Sequence, residues 1–335
     1  MNTTQQPLFD AHCHLQDQRL PALQHVLQEA AAAGVTHLSC NGCWPDDWER
    51  VAAAAAAASV PPAAADQQCQ AQLQPAIIPN FGLHPWWVPR RSPDWLGRLR
   101  CMLEAHPSAG LGECGLDRGP RAPACGWQEQ LEAFEAQLRL AEELKRPVSV
   151  HCVRAFGAVH DALRRLCLSV PVVLHSWTGA ADMTAALARL PMPVYFSLSG
   201  HLTKVPPAKA LPMVRAIPPD RLLLESDSPD GPLDLPPAWL EALPSLAHVP
   251  AELEAAGLRQ VNRPCVLRWT LQLVAAAVEK PADEVAQHTW QNACRVFLVA
   301  SRAGASSTRM PRQRQAKPEL CSEQAAVCTM KCPRN

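Results

Sequence analysis

The sequence predicts a (β/α)8 barrel, on three observations. Short apolar segments of strand length alternate with longer segments of helical period, and eight such strands can be counted up to Glu225. Residues capable of metal or acid–base chemistry fall at the ends of several of these strands, where a barrel gathers its loops on one rim. An open doubly wound sheet is the alternative, and it is disfavoured because no Gly-x-Gly-x-x-Gly follows the first strand.

The first strand, Pro7 to Ala11, runs into His12-Cys13-His14. Alternate residues of a strand share a face, so the two histidines project together while Cys13 points the other way, into barrel packing. Leu20 to Ala33 has helical spacing and stops at Gly34, a helix-ending residue. Strands follow at Val35–Cys40 and Ala76–Phe81, with an alanine-rich helix, Asp46 to Ser59, between them. Pro61 to Gln74 is an Ala, Gln and Pro run that reads as a low-complexity loop. Pro93 to Ala105 is helical, and Ser108 to Gly112 is a fourth strand ending at Glu113. Trp127 to Lys145 is the clearest amphipathic helix, with Leu131, Phe134 and Leu138 along one stripe. Strands at Pro147–His151, Val170–His175, Val194–Ser197 and Arg221–Glu225 alternate with helices at Phe156–Cys167 and Ala180–Leu190. Pro229 to Pro250, rich in proline and leucine, reads as an ordered excursion rather than a core element. Pro264–Glu279 and Pro281–Leu298 are closing helices, which places one domain at 1–299 and a disordered tail at 300–335.

Composition sets limits on function. The 335 residues are 48% hydrophobic, enough for a sizeable core, and Lys+Arg and Asp+Glu both number 31. A net charge of zero supplies no global basic field, so any recognition of phosphate must be local. No apolar stretch is long enough to span a bilayer, and Met1 to Pro7 lacks the pattern of a signal peptide. Fourteen cysteines are scattered through helices and strands. The expectation is reduced thiols in the cytoplasm or another reducing compartment. Cys328 and Cys332 have no close partner pair to complete a zinc knuckle. No obligate protein partner is evident.

Position is the test for the site. His12 and His14 end the first strand, Glu113 the fourth, His151 the fifth and His175 the sixth, while Asp227 follows the eighth. Each has a bland reading alone: a histidine held by a backbone group, Glu113 capping a turn, Asp227 capping the turn before Pro229. Jointly they place four histidines and two carboxylates on one rim, donors that suit zinc, manganese or another divalent ion. Six donors with a carboxylate able to bridge point to two ions. His84 and Arg154 belong to the same rim as candidate substrate contacts, against packing by Pro85 and Trp86 for the first and a surface ion pair for the second. Glu225 reads as support behind the ligands.

At these residues the sequence resembles the TatD family of metal-dependent hydrolases, within the amidohydrolase-like barrels. The matching pieces include Phe9–His14, Phe81–Trp86, Gly112–Asp117, Val150–Cys152, Leu174–Gly179, Tyr195–Gly200 and Leu224–Asp230. Asn262-Arg263-Pro264 and Asn292 to Phe297 extend the order. The resemblance implies a distorted barrel with a two-metal site of zinc, manganese or magnesium. It implies ligands His12, His14, Glu113, His151, His175 and Asp227, and hydrolysis of phosphodiesters, often exonucleolytic, with DNA as substrate. The family's His-x-Arg is here His151-Cys152-Val153-Arg154, so the arginine is displaced by one. Arg118 to Arg121 stands where many members carry an aromatic residue.

In the expected chemistry Asp227 is the general base and Glu113 the bridge, with His84 or Arg154 on phosphate. Two rivals remain open at this point. One is a hydrolase of a carboxylic ester, amide or lactone; the other is an inactive metal-binding scaffold.

Overall fold

Each apolar segment is a strand, and each pairs in parallel with the next, in the order β1 to β8. The strands are β1 (Leu8–Cys13), β2 (Val35–Gly42), β3 (Ala76–Phe81), β4 (Gly110–Asp117), β5 (Val148–Val153), β6 (Val172–Leu174), β7 (Val194–Leu198) and β8 (Leu222–Leu224). The computed structural model describes residues 6–59, 74–122 and 126–298. All of the Pro61–Gln74 run except Gln74, and the 300–335 segment with Cys328 and Cys332, lie outside the described residues.

The chain returns to β1 after β8. Asp227 donates its N–H to the His12 carbonyl at 2.9 Å, and His14 donates to the Ser228 carbonyl at 2.7 Å. The Asp10 carboxylate accepts from the Ser226 N–H at 2.9 Å and the Ser226 hydroxyl at 2.6 Å. These bonds bring His14 and Asp227, far apart in sequence, to one edge.

The helices are α1 (Leu23–Ala32), α2 (Pro45–Ala58), α3 (Trp95–Ala105), α4 (Trp127–Leu144), α5 (Phe156–Leu166), α6 (Ala181–Ala188), α7 (Pro207–Arg215), α8 (Pro237–Ala242), α9 (Val249–Ala255), α10 (Leu267–Val278) and α11 (Ala282–Phe297). Helix α7 is concealed in the sequence pattern, because Pro206, Pro207 and Pro212 mask its period. The Pro229–Pro250 segment is more than an excursion. It holds α8 and most of the approach to α9, and its Leu233, Leu235, Trp239 and Val249 are buried in the main core. Prolines at the first turns of α8 and α9 start these helices rather than break them.

Strand alternation explains where the site sits. Phe9, Ala11, Ile78, Val173, Tyr195 and Leu223 form their own apolar cluster with Val296 and Phe297 of α11. Their strand neighbours Leu8, Ile77, Val172, Val194 and Leu222 belong to the larger cluster shared with the helices. Two residues beyond the plug, on the same face, stand Asn80, His175, Ser197 and Glu225, all buried. The barrel interior is therefore apolar at one end, where α11 closes it, and polar at the other.

Two ladder irregularities aim ligand-type residues. The β1–β2 register shifts between Asp10 and Cys13, around His12, and the β4–β5 register shifts between Leu111 and Cys114, around Glu113. Strand β4 continues to Asp117, so Glu113 lies inside the strand and not at its end as the pattern suggests. Gly115 pairs with His151 across this ladder and has φ of 150°. A Cβ there would sit 2.0 Å from the His151 carbonyl oxygen. Gly115→Ala should cost on the order of 2 kcal/mol or more and loosen His151. Urea unfolding compared with wild type checks this; an unchanged midpoint contradicts it.

Candidate active site

The polar end of the barrel brings all six predicted ligands together, and His84 with them. His12 and His14 are each oriented through Nδ1. The His12 nitrogen lies 2.9 Å from the Ser149 hydroxyl, and the His14 nitrogen lies 2.8 Å from the Asn41 carbonyl. A neutral His14 donating to that carbonyl leaves its Nε2 lone pair free, the arrangement a metal ligand requires.

The two Nε2 atoms are 3.2 Å apart, and each is 3.4 Å from Glu113 Oε2. Asp227 Oδ1 lies 3.9 Å from the first and 3.8 Å from the second. Four donors around one tetrahedral ion, each about 2.1 Å from it, stand about 3.4 Å from one another. These separations fit such an ion.

The other oxygen of Glu113 faces a second group. Oε1 lies 2.8 Å from His175 Nε2 and 2.9 Å from His151 Nδ1, and those two nitrogens are 3.3 Å apart. His151 presents Nδ1 because Asp117 Oδ2 holds its Nε2 at 3.2 Å. Glu225 stands 3.5 Å behind His175 Nδ1 and accepts the Ser176 N–H at 2.6 Å and hydroxyl at 2.8 Å, as expected of a supporting carboxylate.

His84 Nε2 lies 3.4 Å from Glu113 Oε1. Its Nδ1 accepts the Trp86 N–H at 3.1 Å, so a neutral ring carries its proton on Nε2. Burial, followed by the neighbouring His151 and His175 charges, outweighs Glu113 and lowers the His84 pKa to about 4. His84 is thus a neutral N–H donor rather than a lone-pair donor. Arg154 does not join the cluster. It lies exposed just past β5 with a left-handed φ of 52° and makes no hydrogen bond or ion pair among the described residues.

Three residues were not foreseen from sequence. Asp117, two strand steps beyond Gly115 on the face of Glu113, accepts from Trp86 Nε1 at 2.7 Å as well as facing His151. Burial pushes its carboxyl up, but His151 and the Gly119 and Trp86 N–H groups prevail and hold it at about 2. His201, just after β7, places Nε2 3.0 Å from Asp227 Oδ2. Cys43, just after β2, lies 3.7 Å from Glu113 Oε2 and 3.8 Å from His14 Nδ1. Burial, then Glu113 and Asp47, push its thiol well up, so it acts as a neutral S–H donor. Cys13 packs into the main core and donates to the Ser39 carbonyl, away from the cluster.

The charges of the cluster hold one another in place. Burial alone would raise the Glu113 carboxyl; His175, His84, His12 and His151 together hold it well below its usual range. Burial would lower His14, His151 and His175, but the carboxylates around them raise all three above the ordinary 6.5. Without a cation these histidines keep protons that a bound ion must displace. The raised values stabilise the metal-free fold below about pH 6.5, and this contribution is lost as pH rises through them. Binding of zinc or manganese at pH 7 should release protons, seen in calorimetry as a heat that varies with buffer ionisation enthalpy. A buffer-independent heat contradicts this.

No helix among the described residues is long and apolar enough to cross a membrane. Clusters of His12, His14 and Asp227, and of His84, Glu113 and His151, bring their donor atoms within 4.8 Å of one another, a set consistent with divalent metal ions.

The chain and its fold have clear relatives. The chain is 32% identical over 221 residues to the 3'-5' ssDNA/RNA exonuclease TatD of Erwinia amylovora, covering 64% of this chain and 76% of that protein. It is 26% identical to an uncharacterized metal-dependent hydrolase of Haemophilus influenzae, over 65% of this chain and 76% of that one. A TatD homologue of Escherichia coli superposes with a TM-score of 0.69 at 24% identity, covering 87% of this chain and 98% of that one. An uncharacterized amidohydrolase of Saccharomyces cerevisiae gives 0.69 at 19% identity, over 87% and 99%. The profile of the TatD related DNase family matches residues 9–298, and the chain belongs to that family of metal-dependent hydrolases.

Proposed function

We propose that this chain removes nucleotides from the 3' end of single-stranded DNA or RNA, using two divalent ions of zinc, manganese or magnesium. The observation that carries the reading is the Glu113 carboxylate, buried with one oxygen toward His12 and His14 and the other toward His151 and His175. Relatives named 3'-5' ssDNA/RNA exonucleases support the substrate.

In this reading His12, His14, Glu113 and Asp227 hold one ion, and Glu113, His151 and His175 hold the other. When bound, the ions polarise a phosphoryl oxygen and make a water nucleophilic at neutral pH. Asp227 takes the water's proton, while His201, whose Nδ1 faces the Lys204 ammonium at 2.8 Å, donates its Nε2–H to Asp227 Oδ2 at 3.0 Å and holds that carboxylate in place. His84, neutral and carrying its proton on Nε2, donates to a phosphate oxygen. Arg154, free of partners among the described residues, is available to a second phosphate. A net charge of zero suits a grip on a strand end rather than on a long duplex.

The family match ending at residue 298 supports a domain boundary at 299. Nine free cysteines among the described residues support a reducing, cytoplasmic setting.

The test is a 5'-labelled single strand incubated with manganese or magnesium. Stepwise shortening from the 3' end, abolished by a chelator and restored by metal, is expected. Intact oligonucleotide beside turnover of a carboxylic ester or amide would reject the nuclease reading.

A further inference from the structure

Trp86 is the one large hydrophobic side chain exposed among the described residues, at 38%. Its place makes the exposure informative. It sits on the 3-10 turn Pro85–Arg90 that follows β3, immediately after His84. Its ring centroid is 4.9 Å from that of His84 and 6.3 Å from that of His151, so the indole stands at the lip of the cluster.

The ring is held in a fixed pose. Nε1 donates to Asp117 Oδ2 at 2.7 Å, and the backbone N–H donates to His84 Nδ1. The turn beneath it is anchored by Val88, which is buried, and by Trp87, which stacks on Trp44 at 4.6 Å. The Arg121 guanidinium lies 5.9 Å from the Trp86 centroid, a cation beside the aromatic surface. A hydrogen-bonded but solvent-facing indole contributes little to the core. It does offer a flat surface whose ordering entropy is already lost before a ligand arrives.

Single-stranded nucleic acid is gripped by aromatic side chains on which bases stack, with cations along the backbone. A phosphate at the cluster would place an adjoining base one sugar's breadth away, where Trp86 stands. We infer that Trp86 is a stacking platform for a nucleobase next to the scissile phosphate, with Arg121 meeting a neighbouring phosphate. The inference rests on the nuclease reading and deepens it: the site recognises a base as well as a phosphodiester.

The test uses three 5'-labelled single strands with manganese. One is complete, one has an abasic tetrahydrofuran residue at the 3'-terminal nucleotide, and one has it at the penultimate nucleotide. For wild type, an abasic residue at one of the two positions should raise KM about tenfold, the effect of removing one stacked base. Trp86→Leu should reduce that penalty to within about twofold. Trp86→Phe, which keeps a ring but loses the N–H bond to Asp117, should retain most of it. Three results would overturn the inference while leaving the nuclease reading intact: no abasic penalty in wild type, an undiminished penalty in Trp86→Leu, or a penalty lost as completely in Trp86→Phe as in Trp86→Leu. Failure of wild type to cut any of the three strands would overturn both.

Discussion

Glu113→Gln is expected to lose activity by at least about a thousandfold and to lose bound metal with it. The carboxylate is 3% exposed and lies within 3.4 Å of five histidine nitrogens, from His12, His14, His84, His151 and His175. Glutamine keeps the shape but replaces one acceptor oxygen by an N–H₂ donor and removes the charge. Each ion group then keeps its imidazoles without a shared anion, and an amide is a much poorer bridge between two cations. The histidines that Glu113 keeps protonated in the metal-free chain lose that reason to hold protons, so the fold is not expected to collapse. Metal content by mass spectrometry, activity and thermal unfolding should therefore separate: metal and activity fall together, and the unfolding midpoint stays close to that of wild type. Full metal content with activity within tenfold of wild type contradicts the bridging role.

Asp227→Asn should behave differently. Asp227 has φ of 54° and is placed by the hydrogen bonds that join the end of β8 to β1. Its two oxygens face different partners, with Oδ1 toward His12 and His14 and Oδ2 toward His201 and the Ser176 hydroxyl. Burial would raise its carboxyl, but the His201 hydrogen bond and the nearby His175 and His12 charges hold it well below the usual range. It is therefore ionised at neutral pH and able to accept a proton. Asparagine can still offer an oxygen to a cation but cannot take that proton. The expected loss is on the order of 10²–10⁴ in kcat, with a much smaller loss of bound metal. His201→Gln should show a weaker version of the same kcat effect, because His201 acts through Asp227. An Asp227→Asn enzyme with kcat near wild type would remove Asp227 from the chemistry.

How far the site was legible in the sequence follows from strand geometry. His151 and His175 stand at or beside strand ends, where a strand's two-residue period places them on the inner face. By the same period His12 and His14 would lie opposite Phe9 and Ala11, and the register shift around His12 is what turns them inward. Glu113 was found although its strand was cut short: β4 runs on to Asp117, through a glycine-containing stretch that reads as a turn. That shortening hid Asp117, whose side chain shares the face of Glu113 and fixes the tautomer of His151. His201 was hidden for another reason. It lies on the 3-10 turn Gly200–Lys204, where no period distinguishes one residue from the next. Arg154 lies one residue beyond β5, where the backbone turns left-handed, and it is exposed outside the cluster of ligand-type residues. Closure is also invisible to local patterns. The bonds from Asp10 to Ser226, and from His12 and His14 to Asp227 and Ser228, link opposite ends of the barrel sequence.

We propose the rim cluster as a two-ion hydrolytic site bridged by Glu113. Anomalous diffraction from crystals of this protein soaked in manganese tests it most directly. Two peaks are expected, one among His12, His14 and Asp227 and one beside His151 and His175, with the Glu113 carboxylate between them. A fully loaded crystal with no peak in the cluster, or with ions bound only elsewhere, would contradict it.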